Sequence, residues 1–285
     1  MRTSAANAQL ALLLEVTATP KPGNVDRARE YPDLRFEHFM AGAVGASQGL
    51  RMAAAGDPVG ESFERAVEGM ADQRGGNTQF GALLLLTPLI RTASGGSGSP
   101  SDNEELTPER AARVTEATTV ADAAGFYRAF EHVDVAVDDP PADMEALDVR
   151  RGADAVPAVE ERKLTLHDIF ERSADRDGVA REWVSGFPRT FAAADRIAAL
   201  DGPVPERAAR VFLELLADEP DTFVVTKHGE STAQEVSAAA QTALDGDLDP
   251  ETLADDLVER GVNPGTTADL VAAGLFVALE RGLDV

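Results

Sequence analysis

Phe80-Gly81-Ala82-Leu83-Leu84-Leu85-Leu86-Thr87-Pro88-Leu89-Ile90 is apolar on nearly every side. A surface helix would keep one polar face, so an all-round apolar helix belongs in the middle of a domain. The run is about half of the roughly 20 residues that span a bilayer, which makes it a core element rather than a membrane one. Just before it stands the turn Gly75-Gly76-Asn77-Thr78. Before that, residues 61–73 read as a helix with Phe63, Val67 and Met70 at helical spacing. Further out, residues 4–16 read as a helix with Ser4 as N-cap, and 36–55 as one helix interrupted only by small residues. On the other side, a Ser/Gly-rich stretch near 92–106 reads as a flexible loop. Thr107-Pro108 then starts a helix expected to run to about residue 130. Residues 133–161 carry weak periodicity and commit to nothing.

The second half follows the same pattern. Helices are expected over 165–173, 179–184, 189–200, 205–217, 232–244, 250–260 and 264–281. Residues 222–226 are β-like but short and without strand partners, so a buried extended loop is expected there. Helices at this density, with almost no alternating strands, predict an all-α fold, a single multi-helix bundle-like domain over 1–285.

Composition narrows the function. The chain has 285 residues, 44% hydrophobic but only 5% aromatic, so its core rests on Leu, Val and Ala. It has no cysteine, which removes disulfides, thiolate metal sites and cysteine nucleophiles. The net charge of −24 argues against a nucleic-acid partner. No signal peptide and no membrane span are read, so a cytoplasmic location is expected. Lysine occurs only at Lys21, Lys163 and Lys227. Acidic excess with few lysines suits a high-salt cytosol, where screening makes self-repulsion tolerable; an ordinary acidic protein is the plainer reading.

Rare lysines are informative. Lys21 and Lys227 are expected in loops punctuated by Pro or Gly, beside Asn24 and His228, and a compact ammonium there suits phosphate; chance survival is the alternative. Three segments share one design, with Gly or Pro leading polar residues into a helix: 19–27, 75–81 and 263–269. Helix N-termini of this kind present free N–H groups to anions, although ordinary capped turns look the same. His38 follows Glu37 at a helix start and suits acid–base work, metal binding or a simple cap. Asp175 and Asp177 flank Arg176, a carboxylate pair suited to Mg2+ or to plain solvation.

Glu15-Val16-x-x-Thr19-Pro20-Lys21-Pro22-Gly23-Asn24-Val25-Asp26-Arg27 resembles the opening motif of the triphosphoribosyl-dephospho-CoA synthase family. Gly75-Gly76-Asn77-Thr78-Gln79-Phe80-Gly81 resembles its central motif. Lys227-His228-Gly229 and the stretch Asn263-Pro264-Gly265-Thr266-Thr267-Ala268-Asp269-Leu270 resemble its two late ones. The resemblance covers nearly the whole chain in the right order. It implies an all-helical enzyme in which the 2′-hydroxyl of 3′-dephospho-CoA attacks the ribose C1 of ATP and adenine leaves. The product would be the prosthetic-group precursor of acyl carrier subunits.

The resemblance implies Lys21, Gly23, Asn24, Arg27, Gly75, Gly76, Asn77, Thr78, Gly81, Lys227, His228, Gly229, Asn263, Gly265 and Thr266 as the candidate ATP-binding set. Candidate catalytic residues are Asp26, His38, Asp175 and Asp177. Candidate Mg2+ ligands are Asp26, Asp175, Asp177 and Asp269. Substrates are then ATP and dephospho-CoA, with no nucleic acid and no membrane partner, and a homodimer is an open option. Two departures stand out. Bacterial-type members have His after the GGNT motif, where this chain has Gln79, which cannot shuttle a proton at neutral pH. Their early His/Asp stretch is replaced by residues 31–39, where His38 is the candidate substitute. These departures fit a divergent branch, with a haloarchaeal one the candidate. Transfer from ATP to another nucleotide acceptor, or a nucleotide-binding regulator without turnover, are the competing readings.

Overall fold

The computed structural model describes residues 2–95, 105–140 and 144–285. The first half forms α1 (Ser4–Thr17), α2 (Phe36–Gly45), α3 (Ser47–Ala55), α4 (Val59–Met70), α5 (Phe80–Ala93), α6 (Pro108–Glu116) and α7 (Val120–Ala129). The second half forms α8 (Val156–Arg162), α9 (Leu166–Glu171), α10 (Gly178–Ser185), α11 (Pro188–Ala199) and α12 (Val204–Asp218). It ends with α13 (Thr222–His228), α14 (Glu230–Asp245), α15 (Pro250–Glu259) and α16 (Gly265–Glu280). No strand occurs among the described residues. The fold is all-α, and one apolar cluster draws side chains from α1 through α16. No helix is long and apolar enough to cross a membrane.

Two helices form the axis. Helix α5 is buried from Ala82 to Ile90, as its composition requires. Helix α16 is buried from Leu270 to Leu279 and packs on α1, α5, α11 and α12. Pro88 lies inside α5 and cannot donate the i→i−4 bond to the Leu84 carbonyl. The indole Nε1 of Trp183, the only tryptophan, donates to that oxygen instead at 3.1 Å. The sparse aromatic residues cluster here, with Phe170 against Trp183 at 4.7 Å, Phe126 against Phe170 at 5.1 Å and Phe80 against Phe130 at 5.0 Å.

Several sequence expectations change. The stretch 36–55 is two helices, because Gly45 stands directly against the Gly69 carbonyl of α4 and the path bends at Ala46. The helix expected over 107–130 breaks after Glu116, where a capping box of Thr119 and Asp122 restarts it as α7. Residues 222–226 are helical rather than extended, since Asp221 caps Phe223 and Val224 and overrides their β propensity. Thr3, not Ser4, caps α1. Residues 149–162 form a 3-10 turn (Val149–Ala155) leading into α8. The loop expected near 92–106 begins inside α5, and 96–104 lie outside the described residues.

Candidate active site

A cavity of about 310 Å³ opens where the N-termini of α5, α10 and α16 converge beside the C-terminal half of α1. Its apolar wall is Phe80, Phe126, Tyr127, Phe130 and Phe170; its polar end holds Glu15, Asn24, Gln79, Asp177, Asn263 and Asp269. Converging helix N-termini give the polar end partial positive charge, which favours anions, while side chains cap most of their N–H groups. Arg172 and Arg176 also line the cavity.

The first motif builds the wall from behind. Lys21 is buried, and its ammonium pairs with Glu15, which faces the cavity. The lysine therefore orients a carboxylate instead of presenting itself to a ligand. Asp26 has no exposure at all. Its carboxylate accepts the N–H groups of Lys21 (3.1 Å), Ala28 (2.7 Å) and Arg29 (2.9 Å), and the Arg29 guanidinium lies at 3.4 Å. That occupancy makes Asp26 the clamp of its loop and leaves it no face toward the cavity. Gly23 has φ +75°, and a Cβ there would stand 2.1 Å from the Val262 carbonyl, so only glycine fits. Asn24 Nδ2 donates to the Pro264 carbonyl at 3.1 Å, tying this loop to the last motif. Arg27 is exposed and outside the cavity.

The central motif divides in two. Gly75 and Gly76 form a turn closed by the Gln73 side chain, which accepts from Gly75 N and donates to Gly76 O. The ring of His38 lies against Gly75, and its Nδ1 accepts from Arg35 N as part of the α2 cap. None of these three residues lines the cavity; Asn77, Thr78, Gln79 and Gly81 do. Asn77 Oδ1 accepts from Phe80 N at 3.1 Å and starts α5.

In the last motif, Asn263, Gly265, Thr266 and Asp269 line the cavity. Gly81 has no Cβ because Asp269 is there: a Cβ would sit 2.0 Å from its Oδ2. Asp221, unmentioned by any motif, accepts from Thr267 N and Oγ1 at 2.7 Å each and so clamps α13 to α16. Thr222 Oγ1 links Gly178 N and Thr266 Oγ1, both at 3.0 Å. Lys227 and His228 are not in a loop but in the last turn of α13. Lys227 sits 5.7 Å from the Phe223 ring centroid, and His228 Nε2 contacts the Gly261 carbonyl at 3.2 Å. They and Gly229 stay outside the cavity, which Phe223 itself lines.

The carboxylate pair separates. Asp175 is exposed and outside the cavity, whereas Asp177 caps α10 by accepting from Ala180 N at 2.9 Å and faces inward. Asp177 is itself exposed as a residue, but crowding of its carboxyl against the packed chain raises it above the usual range against the pull of the Ala180 and Val179 N–H groups. Burial also raises Glu15, opposed by Lys21. Asp269 is raised well above the usual range, by burial first and then by repulsion from Glu15 and Asp221, with the Ala82 N–H opposing. Among the described residues no group of three or more His, Cys, Asp or Glu side chains could hold a metal ion by itself. The segments carrying Arg172, Tyr127 and residues 135–140 were silent in the sequence because only the fold brings them to this wall. Glu15 had a signal: it opens the first motif.

The model of the ATP:dephospho-CoA triphosphoribosyl transferase family matches residues 1–284. A protein of Pectobacterium carotovorum assigned as a 2-(5''-triphosphoribosyl)-3'-dephosphocoenzyme-A synthase is 27% identical over 287 residues, covering 92% of this chain and 84% of its own. A crystal structure from Archaeoglobus fulgidus, assigned as a triphosphoribosyl-dephospho-CoA synthase, superposes with a TM-score of 0.67 at 25% identity. The superposition covers 85% of this chain and 99% of that one.

Proposed function

The chain belongs to the ATP:dephospho-CoA triphosphoribosyl transferase family, and from that membership we propose how its cavity does the chemistry. The enzyme is a transferase acting on ATP and 3′-dephospho-CoA. The acceptor's 2′-oxygen forms a bond to the ribose C1 of ATP, the C1–N9 bond breaks, and its electron pair leaves on adenine. The proton lost by the hydroxyl balances the one adenine takes up. Displacement at an anomeric carbon passes through an oxocarbenium-like state, which a base on the nucleophile and carboxylates near the ribose stabilise.

The observation that carries the reading is the meeting of three motifs in one cavity, with Asn24, the segment Asn77–Gly81 and the segment Asn263–Asp269 facing the same space. Asn77, Thr78, Asn263 and Thr266 are the side-chain donors for triphosphate and ribose, joined by Arg172 and Arg176 and by the partial positive charge of the helix N-termini. Glu15 is the base for the 2′-hydroxyl. Lys21 holds one of its oxygens and leaves the other for a proton, and burial raises the Glu15 carboxyl, which makes it a stronger base than an exposed carboxylate. Asp177 and Asp269 lie in the same cavity with no cationic side chain bonded to either. Mutually repelling carboxylates of this kind fit Mg2+, which takes one or two of them and completes its shell with phosphate oxygens and water. Bound there, Mg2+ would neutralise triphosphate charge. Asp26, Asp175 and His38 drop out of the catalytic set, because other partners or positions outside the cavity claim them.

Two further readings belong with this one. The acidic excess of 50 Asp and Glu over 26 Lys and Arg supports work in a high-salt cytosol. A homodimer would bury mostly polar surface, since Val44 and Val285 are the exposed large hydrophobics among the described residues.

The test is adenine release from ATP in high salt with Mg2+, with and without dephospho-CoA. Adenine formed only with dephospho-CoA is expected. ATP binding without adenine under either condition would refute the proposed reaction.

A further inference from the structure

Gln79 lines the cavity yet is only 4% exposed, and both its carboxamide nitrogen and its oxygen lack a hydrogen-bond partner. Among the described residues no other side chain has two such atoms. Burying an amide with both ends unsatisfied is costly for the free protein, so its retention points to a ligand that satisfies both. Gln79 precedes α5 with its N–H taken by Met70 Sδ at 3.3 Å; in the free protein its amide is sealed from solvent with the oxygen toward Gly42 of α2, so rotation about the side-chain torsions is the step that brings it to a ligand in the adjoining cavity.

A carboxamide offers one N–H donor and one C=O acceptor side by side in a plane. Phosphate offers only acceptors and a metal ion only charge, so neither uses both. Adenine does, through N7 as acceptor and the N6 amino group as donor, the pairing by which Asn and Gln read adenine in a groove. The neighbouring Phe80, Phe126 and Phe130, packed edge to face, give the cavity an aromatic lining whose ring faces and edges suit a purine ring. We infer that Gln79 reads the adenine of ATP across its N6–N7 edge, and that this residue sets the enzyme's choice of nucleobase. The inference rests on the proposed function for its substrate.

The departing adenine is the better match than the acceptor's. When the C1–N9 bond breaks, the electron pair moves into the ring that leaves, and N7 gains electron density. An N–H donor already placed at N7 tightens as that charge develops. The acceptor's adenine undergoes no such change. Gln79 donates a hydrogen bond and keeps its proton, so adenine takes its balancing proton from the pool released by the acceptor hydroxyl.

Calorimetry on the full chain decides it, with ATP, 7-deaza-ATP and purine riboside 5′-triphosphate as probes, in the presence of saturating 2′-deoxy-3′-dephospho-CoA, which fills the acceptor site but lacks the attacking hydroxyl. The native protein should bind each analogue about 5- to 150-fold more weakly than ATP. Gln79→Met, close in shape and without the amide, should bind all three alike, at the level of the analogues. It should also melt no lower than the native protein, because it removes two unpartnered buried groups; a merely structural glutamine would instead lower the midpoint. Gln79→Glu keeps the acceptor and loses the donor, so it should still discriminate against purine riboside triphosphate but not against 7-deaza-ATP. Equal native affinity for the three nucleotides overturns the inference, as does undiminished discrimination in Gln79→Met. Discrimination by the native protein without any adenine release from ATP and dephospho-CoA would sink the proposed reaction and leave this inference standing.

Discussion

Asp269 sits where a single side chain governs both stability and ligand charge. Its carboxyl is raised well above the ordinary aspartate range by burial and by repulsion from Glu15 and Asp221. The folded chain therefore holds a proton there that the unfolded chain has already released. Stability from the neutral form is complete below the unfolded value and is lost as pH rises through the folded one. Asp269→Asn keeps the oxygen that accepts from Ala82 and removes the charge. Denaturant unfolding across pH should show the native protein losing stability as pH rises above about 4 and the variant following a flatter curve. The variant should be the more stable of the two at neutral pH and the weaker binder of ATP with Mg2+. A native profile that rises with pH over this range would remove the case for a raised Asp269. The motif residues were visible in the sequence, but their duties were not. Lys21 looked like a phosphate ligand because a lysine's burial and its Glu15 partner follow from the fold. Asp26 looked catalytic because three backbone donors cannot be counted from a string of letters.

Helix α5 shows how a local rule can be broken and repaired at a distance. Its apolar composition made it legible as a buried element, and Pro88 should have cost it a backbone bond. The repair comes from Trp183, 99 residues along the chain in the hydrogen bond to Leu84 O. No periodicity announces that partner. Trp183→Phe keeps an aromatic ring against Phe170 but strands the Leu84 carbonyl in an apolar interior. The orphaned acceptor alone should cost about 1–3 kcal/mol. Urea unfolding measures it, and a change within about 0.5 kcal/mol would mean the carbonyl finds another donor. Because Gln79 is the N-cap of α5 and α5 backs onto Asp269 at Gly81, the variant should also weaken ATP binding. The errors at this scale share a cause. Small residues at Gly45 and a cap at Thr119 broke two expected helices, and the Asp221 cap made a helix of a β-like run. Each depends on a contact or cap that outweighs propensity, which is a weak guide over segments this short.

Over the whole molecule, a net charge of −24 competes with the ion pairs that arginine makes on the surface. Arg29 bridges Glu251 and Asp255, and Arg260 bridges Glu235 and Asp256, with the acidic partners largely exposed. The Arg260 pairs, exposed on both sides, are each worth at most about 1 kcal/mol. Self-repulsion acts on every unpaired carboxylate at once, over distances comparable to the screening length of about 10 Å at 0.1 M salt, which falls to about 3 Å at 1 M. Added salt weakens both, but it removes more repulsion than attraction when acidic groups outnumber basic ones 50 to 26. The all-α fold and its core were legible from hydrophobic patterning, which salt barely touches; the surface balance was legible only as a total, because pairing depends on where each arginine lands. The thermal midpoint should therefore rise between about 0.1 and 2 M KCl, by roughly 2–4 °C for each kcal/mol of repulsion relieved. The gain should come mostly below about 1 M, where the screening length is still shrinking through the spacing of surface charges. A midpoint that is flat or falls would mean the arginine network, not the acidic excess, controls the surface, and the high-salt reading would go with it.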